Sequence, residues 1–101
     1  MKKLLITGAI LATGLISTQS FAADIAAGKA KAAVCAGCHG ASGISVTGMW
    51  PNLAGQKAAY LSKQIKAFRD GTRKDPSMSP MAAGLTDADA DNIAAYYASL
   101  K

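Results

Sequence analysis

Apolar residues recur at helical spacing in three stretches of the chain between residue 24 and the C-terminus. The first stretch begins at Asp24, a residue type suited to a helix start, and continues through Val34. The second runs from about Gln56 to Asp70, with apolar residues three or four positions apart, and Gly71 follows in the position that commonly ends a helix. Both patterns predict helices that bury one face.

The third stretch lies at the C-terminus and has the clearest start signal of the three. Thr86 and Asp89 stand three residues apart, as in a capping box with aspartate in place of the usual glutamate or glutamine. Aspartates in the opening turns also favour the helix macrodipole. The pattern predicts a helix from this point to the end of the chain, and its apolar side is formed by Ile93, Tyr96, Tyr97 and Leu100.

Two long segments without helical periodicity separate these helices. Residues 40–55 are rich in glycine and contain Pro51, and residues 72–84 contain Pro76 and Pro80. No strand pattern is visible, so the predicted fold class is all-α with three main helices. Loops this long are unusual in a small domain and require a functional explanation.

Residues 1–22 have the pattern of a secretory signal peptide. Two lysines precede an apolar run from Leu4 to Ile16, and Ser20 and Ala22 supply small residues at the spacing of a cleavage site. Cleavage after Ala22 would leave residues 23–101 as a single secreted domain. Because the apolar run is shorter than the roughly 20 residues that span a bilayer, we expect no stable membrane insertion.

The predicted domain has few residues from which to build a core. Residues 23–101 contain 18 large apolar residues and 19 alanines, and domains of this size rarely supply enough core alone. An apolar bound group would fill the interior.

Basic residues gather between positions 57 and 74 and aspartates between 87 and 91, which could steer an acidic protein partner or form a solvated surface. Without aromatic residues among the basic ones to stack bases, nucleic-acid binding is not expected.

Cys35, Cys38 and His39 form the sequence C-x-x-C-H, the attachment motif for a c-type haem. Each thiol can form a thioether with a haem vinyl group, and the adjacent histidine then lies under the iron as an axial ligand. A structural zinc site needs four ligands, whereas this chain has two cysteines and one histidine. A redox dithiol would require a strand-to-helix setting, and a plain disulfide would leave the histidine unexplained.

The second axial ligand cannot be another histidine, because the chain has only one. A methionine is the natural candidate, and His/Met ligation raises the reduction potential of haem. Met49 is expected to pack on the histidine side of the haem. Met78 and Met81 both lie on the second irregular segment, and spacing alone does not choose between them.

Together these motifs make the chain resemble class I bacterial cytochromes c, especially short single-haem periplasmic forms and the half-units of dihaem periplasmic cytochromes c. The resemblance covers essentially all of residues 24–101. The segments that show this resemblance are residues 34–40 around the haem motif, 51–56, 59–65, 78–81, 85–89 and 93–97.

The resemblance implies several site residues. In that family the ligating methionine stands seven residues before the leucine that precedes the last helix, which corresponds to Met78 here and leaves Met81 as the alternative. A proline at the position of Pro51 offers its carbonyl oxygen to the second ring nitrogen of the histidine ligand. Gly28 and Tyr96 match the crossing of the first and last helices, Tyr97 would turn towards the haem, and Trp50 is expected beside it.

The resemblance further implies a soluble periplasmic electron carrier, not an enzyme, with one covalent haem c and monomeric in solution. A membrane quinol-oxidising complex would be the donor, and a terminal oxidase, peroxidase or reductase the acceptor. An enzyme or sensor with five-coordinate iron remains an alternative if neither Met78 nor Met81 reaches the metal, and a redox-inactive metal module is a third. Tyr60, Gln64 and Arg69 are candidates for binding a haem propionate, and facing solvent is the alternative role for each.

Overall fold

The structure, a computed structural model, describes residues 23–101 and is all-helical within that range. The expected signal peptide, residues 1–22, lies outside the described residues. None of the helices in the described part has the length and apolarity needed to cross a membrane. The elements are α1 (Ile25–Lys31), a 3₁₀ helix (Ala32–Val34), α2 (Ala36–His39), α3 (Ala58–Asp70), α4 (Met78–Ala82) and α5 (Asp87–Ser99).

The first helix is shorter than the sequence pattern predicts. The Asp24 carboxylate accepts a hydrogen bond from the Ala27 N–H at 3.0 Å and so caps α1 as expected. The chain then tightens into the 3₁₀ helix over Ala32–Val34, where the prediction had one continuous helix to Val34. This change of helix type redirects the backbone before Cys35, so that the haem motif lies on its own short helix.

The long middle helix agrees with its prediction, but the segment after it does not. Helix α3 begins at Ala58, two residues later than expected, and ends at Asp70; Gly71 follows as the cap residue, with a left-handed φ of +85°. Residues 72–84, predicted to be irregular throughout, contain the five-residue helix α4. Pro80 is compatible with α4 because it lies within the first turn, where backbone N–H groups have no partner inside the helix.

Helix α5 is the centre of the packing. Helices α1 and α3 both lie against it, and its residues Ile93 and Tyr97 are the largest fully buried side chains among residues 23–101. Gly28 on α1 is buried at the crossing with α5, where its nearest neighbours are backbone atoms of Asn92 and Ile93. Such a small core matches the low count of large apolar residues.

The acidic and basic clusters of the sequence meet between helices. Asp91 on α5 lies 3.0 Å from the Lys66 ammonium, and Asp87 lies 2.7 Å from the Arg69 guanidinium, so both pairs join α3 to α5. The Ser62 hydroxyl also donates to Asp91 at 2.5 Å. Much of the charge asymmetry therefore stabilises the packing of the helices, although each exposed pair contributes little on its own.

The predicted capping box at the start of α5 is present. The Thr86 hydroxyl accepts from the Asp89 N–H at 3.0 Å, and the Asp89 carboxylate accepts from the Thr86 N–H at 3.0 Å. The Lys31 ammonium lies 3.6 Å from the same carboxylate. The hydrogen bond from Thr86 is the main reason that the pKa of Asp89 lies below its ordinary value.

Replacing Asp89 with asparagine, which imitates the protonated side chain, should lower the free energy of unfolding at neutral pH. A carboxyl with a lower pKa in the folded state contributes stability above its unfolded pKa of about 3.9, and this is lost as the pH falls through the folded value. In urea unfolding, the difference between parent and variant should therefore shrink as the pH falls below about 4. A difference that stays constant to about pH 2 would contradict this linkage.

Candidate haem site

The haem motif lies on α2, and its histidine points into the protein. Only 5% of His39 is exposed. Helix α2 ends at Gly40, whose φ of +88° is a left-handed conformation that other residues rarely adopt. A Cβ atom on this glycine would lie 1.9 Å from the Ile44 carbonyl oxygen. Glycine is therefore required for the chain to turn sharply directly after the histidine.

The loop after α2 folds back and brings Pro51 to the buried histidine. The Gly43 carbonyl oxygen accepts from the N–H groups of Leu53 at 2.8 Å and Ala54 at 3.0 Å, and this closes the loop at its base. The Pro51 carbonyl oxygen lies 2.8 Å from His39 Nδ1. With Nδ1–H donating to this oxygen, Nε2 is the ring nitrogen left with a lone pair for a metal.

A cleft of about 280 Å³ opens in front of the motif. Cys35, Cys38 and His39 line one part of it, and Met78 and Met81 on α4 line another. The remaining wall is apolar and comes from several helices and loops; it includes Val34, Trp50, Ile65, Leu85 and Ile93. The two segments predicted to be irregular therefore supply Trp50, Met78 and Met81 to one cleft, as expected for segments that wrap a bound group.

The two cysteines are half-buried free thiols in this structure. Burial raises the pKa of Cys35, and a hydrogen bond with the Tyr97 hydroxyl partly offsets that effect. Burial is also the main reason that the pKa of Tyr97 lies above its ordinary value. Cys35 also packs against the core cluster that contains Tyr97.

The three methionines differ in their surroundings. Met78 is half-buried in the cleft, and Met81 lines the same cleft with half of its surface exposed. Met49 is 78% exposed and does not line the cleft, so the expectation that it packs beside the histidine is wrong. The loop around Met49 is held by the Thr47 hydroxyl, which accepts from the Met49 N–H at 3.0 Å and directs the segment outwards.

The residues of the cleft fit a covalently attached haem. The cleft contains the thiols of Cys35 and Cys38 and the thioether sulfurs of Met78 and Met81, and the rest of its lining is mostly apolar. It also contains the buried His39 imidazole, whose Nδ1 is already hydrogen-bonded. Within residues 23–101, no three His, Cys, Asp or Glu side chains come together as a metal site by themselves. The donor set is suited to an apolar macrocycle that brings its own iron.

No sequence motif marks the side chains that fix the segment carrying the methionines. Arg69 Nη1 donates to the Leu85 carbonyl oxygen at 3.3 Å and to Asp87 at 2.7 Å, so Arg69 has protein partners and does not line the haem cleft. Gln64 accepts a hydrogen bond from Arg73 at 2.7 Å.

At the other end of the segment, the Asp75 carboxylate and the Ser79 hydroxyl bind backbone groups around Met78. Only the short spacing of Asp75 and Ser79 on either side of Met78 could have pointed to them.

Comparison with known proteins identifies the family. The sequence profile of the family Cytochrome c matches residues 25–101. Cytochrome c-554(548) of Halomonas halodenitrificans is 51% identical over 81 residues, which cover 77% of this chain and 98% of that protein. Cytochrome c4 of Pseudomonas aeruginosa is 46% identical over 101 residues, which cover all of this chain and 50% of the relative.

A solved structure gives the same result for the fold. The crystal structure of reduced recombinant cytochrome c4 from Pseudomonas stutzeri superposes with a TM-score of 0.75 at 40% identity, covering 79% of this chain and 47% of that one. The chain thus spans about half the length of these cytochrome c4 relatives but nearly all of the cytochrome c-554(548). With its all-helical fold and its cleft suited to a covalent haem c, the chain belongs to the cytochrome c family.

Proposed function

We propose that residues 23–101, released from the signal peptide 1–22, carry single electrons in the periplasm through one covalently bound haem c. The observation that carries this proposal is the convergence of Cys35, Cys38, His39 and Met78 on one apolar cleft. Haem iron, when bound, supplies one-electron exchange between its ferric and ferrous states. Everything else in the function comes from how the chain holds and shields it.

The motif residues have distinct roles in this proposal. The thiols of Cys35 and Cys38 would hold the porphyrin through thioether bonds, in which each S–H adds across one vinyl group and the hydrogen goes to the other vinyl carbon. His39 would bind the iron through Nε2. Its Nδ1–H donates to the Pro51 carbonyl oxygen at 2.8 Å, which fixes the tautomer and ring orientation and makes the imidazole a stronger ligand.

Met78 is proposed as the second axial ligand, with Met81 as the alternative. A thioether ligand favours the ferrous state and raises the reduction potential. With both axial positions filled by protein, no coordination site is left open for a substrate, which suits a carrier better than an enzyme. The half-buried position of Met78, against the half-exposed Met81, supports the choice.

The proposed partners are other redox proteins. We propose a membrane quinol-oxidising complex as donor and a terminal oxidase, peroxidase or reductase as acceptor, with the chain acting as a monomer. Val34 and Met81 are 59% and 50% exposed at the cleft edge, so apolar surface surrounds the place where electrons would leave. Contacts through such a limited surface are expected to be weak and transient.

The test is periplasmic expression together with haem-maturation machinery. The full chain should give a coloured product whose haem remains with the protein after acid-acetone extraction, whereas a Cys35→Ala/Cys38→Ala variant should release it. The reduced parent protein should bind CO slowly or not at all, because both axial ligands come from the chain. Rapid CO binding would favour the five-coordinate alternative, and a colourless, stably folded product would favour the redox-inactive one.

A further inference from the structure

The proposed methionine ligand lies on a helix too short to be stable by itself. Helix α4 has five residues, Met78–Ala82, and Met78 is its first. Isolated helices of this length do not persist in water. A ligand on such a helix keeps its position only if other contacts fix the backbone of the turn.

Asp75 and Ser79 supply these contacts from the two sides of Met78. Asp75 Oδ2 accepts from the Ser77 N–H and from the Met78 N–H, each at 2.8 Å. In the reverse direction, the Asp75 N–H donates to the Ser79 hydroxyl oxygen at 3.0 Å. The Ser79 N–H also donates to the Asp75 carbonyl oxygen at 3.0 Å. The four hydrogen bonds close a ring around the backbone of Met78, which we call the Asp75–Ser79 clasp.

The clasp has the chemistry of a helix cap. The Asp75 carboxylate satisfies backbone N–H groups that have no partner in the first turn, and the Ser79 hydroxyl accepts from the Asp75 N–H before the helix. Its N–H groups favour the ionised carboxylate, and the pKa of Asp75 accordingly lies below its ordinary value, chiefly through the Met78 N–H. The hydrogen bonds are local, so they act on the orientation of this turn and not on the packing of α1, α3 and α5.

We infer that Asp75 and Ser79 are positioning residues that hold the Met78 sulfur towards the haem iron. The inference rests on the proposed ligation by Met78. Met81 lies three residues later, on the same face of α4, so a small rotation of the turn exchanges which sulfur is presented to the cleft. The clasp binds the N–H of Met78 itself. It therefore fixes the backbone orientation in which the sulfur of Met78, and not that of Met81, is directed at the iron.

The test uses holoprotein variants Asp75→Ala, Asp75→Asn and Ser79→Ala. Lys74→Ala is the control, because Lys74 directly precedes Asp75 but is exposed and does not line the haem cleft. Imidazole is added to the ferric protein as a competing ligand, and its binding is followed by loss of the long-wavelength absorption band characteristic of sulfur ligation. Urea unfolding and the reduction potential are measured in parallel.

Asp75→Ala should increase the apparent affinity for imidazole about tenfold, as expected for loss of about one net hydrogen bond. Ser79→Ala should show a smaller increase. Asp75→Asn, which keeps an acceptor oxygen, should recover most of the parent behaviour, and Lys74→Ala should match the parent.

Met78→Ala separates the inference from the function on which it rests. If Met78→Ala removes the sulfur band but Asp75→Ala leaves imidazole affinity unchanged, the ligand assignment stands and the positioning role is refuted. If Asp75→Ala lowers only the unfolding midpoint, the clasp is purely structural and the inference is again refuted. If Met78→Ala keeps the band, the proposed ligation itself is wrong.

Discussion

Gly28→Ala is expected to prevent α1 from packing against α5 and to leave little folded holoprotein. A Cβ atom at this position would lie 1.9 Å from the Asn92 carbonyl oxygen and 2.4 Å from its carbonyl carbon. Both atoms belong to the backbone of α5 and cannot rotate away. Alanine at an open helical site would stabilise the helix by about 1 kcal/mol relative to glycine. Here the clash exceeds that gain, because overpacking typically costs about 1–3 kcal/mol and sometimes more.

Denaturant unfolding of the purified holoprotein, together with its yield, measures this effect. Gly48→Ala is the matched control, because no heavy atom lies within 4 Å of its Cβ position and its φ is not positive. The control should unfold at the parent midpoint, whereas Gly28→Ala should lose about 3 kcal/mol, the upper end of the usual overpacking cost because the clash is with backbone atoms, and a large part of the 5–15 kcal/mol typical of a small domain. Parent-like stability of Gly28→Ala would show that the two helices can separate at no cost.

The starts of α1 and α5 and the end of α3 were predicted correctly from the sequence because their signals are local. The Asp24 cap, the Gly71 end and the Thr86–Asp89 capping box each depend on residues within one turn, and the structure contains all three. Periodic apolar positions then indicate which face is buried. Such signals need no knowledge of the rest of the molecule.

Helix α4 was not predicted because the local sequence signals in residues 72–84 are ambiguous. Pro76 and Pro80 indicate an irregular segment, yet a proline in the first turn breaks no hydrogen bond. Five residues are too few to show an apolar period. The helix exists because Asp75 binds the backbone at its start, a contact whose importance follows from the position of Met78 in the cleft.

The break between α1 and α2 had no local signal either. The alanines before Cys35 are good helix formers, and the sequence there contains no proline. The tightening to a 3₁₀ turn follows from tertiary packing, in which Ala32 is buried in the same core as Tyr97. Spacing likewise could not reveal that Asp87 and Asp91 pair with basic residues of α3, because that depends on how two distant helices align.

The outward position of Met49 could not be predicted from its place in the sequence. The residue is close in sequence to both His39 and Pro51, and proximity suggested a place beside the histidine. The path of the loop decides otherwise: Ser45 N–H donates to Asn52 Oδ1 at 2.7 Å, so the segment between them projects from the surface. Pro51 returns to the site and Met49 does not.

Met78→Ala is expected to remove the sulfur band from the ferric spectrum and to lower the reduction potential. The thioether favours ferrous iron, and its loss should shift the potential by an amount on the order of 0.1–0.3 V, within the roughly 0.8 V range that axial ligands set. The reduced variant should also bind CO rapidly, because one axial position becomes accessible. Absorption spectroscopy, a redox titration and CO mixing measure these three changes.

Met81→Ala is the matched control, since Met81 lies on the same short helix and lines the same cleft. It should keep the sulfur band and stay close to the parent potential, because a half-exposed side chain at the cleft edge is available for docking but not needed by the iron. The reverse result, with the band lost in Met81→Ala and kept in Met78→Ala, would assign the ligand to Met81. Loss of the band in neither single variant but in the double variant would mean that each sulfur can replace the other, which α4 permits because it presents both residues on one face.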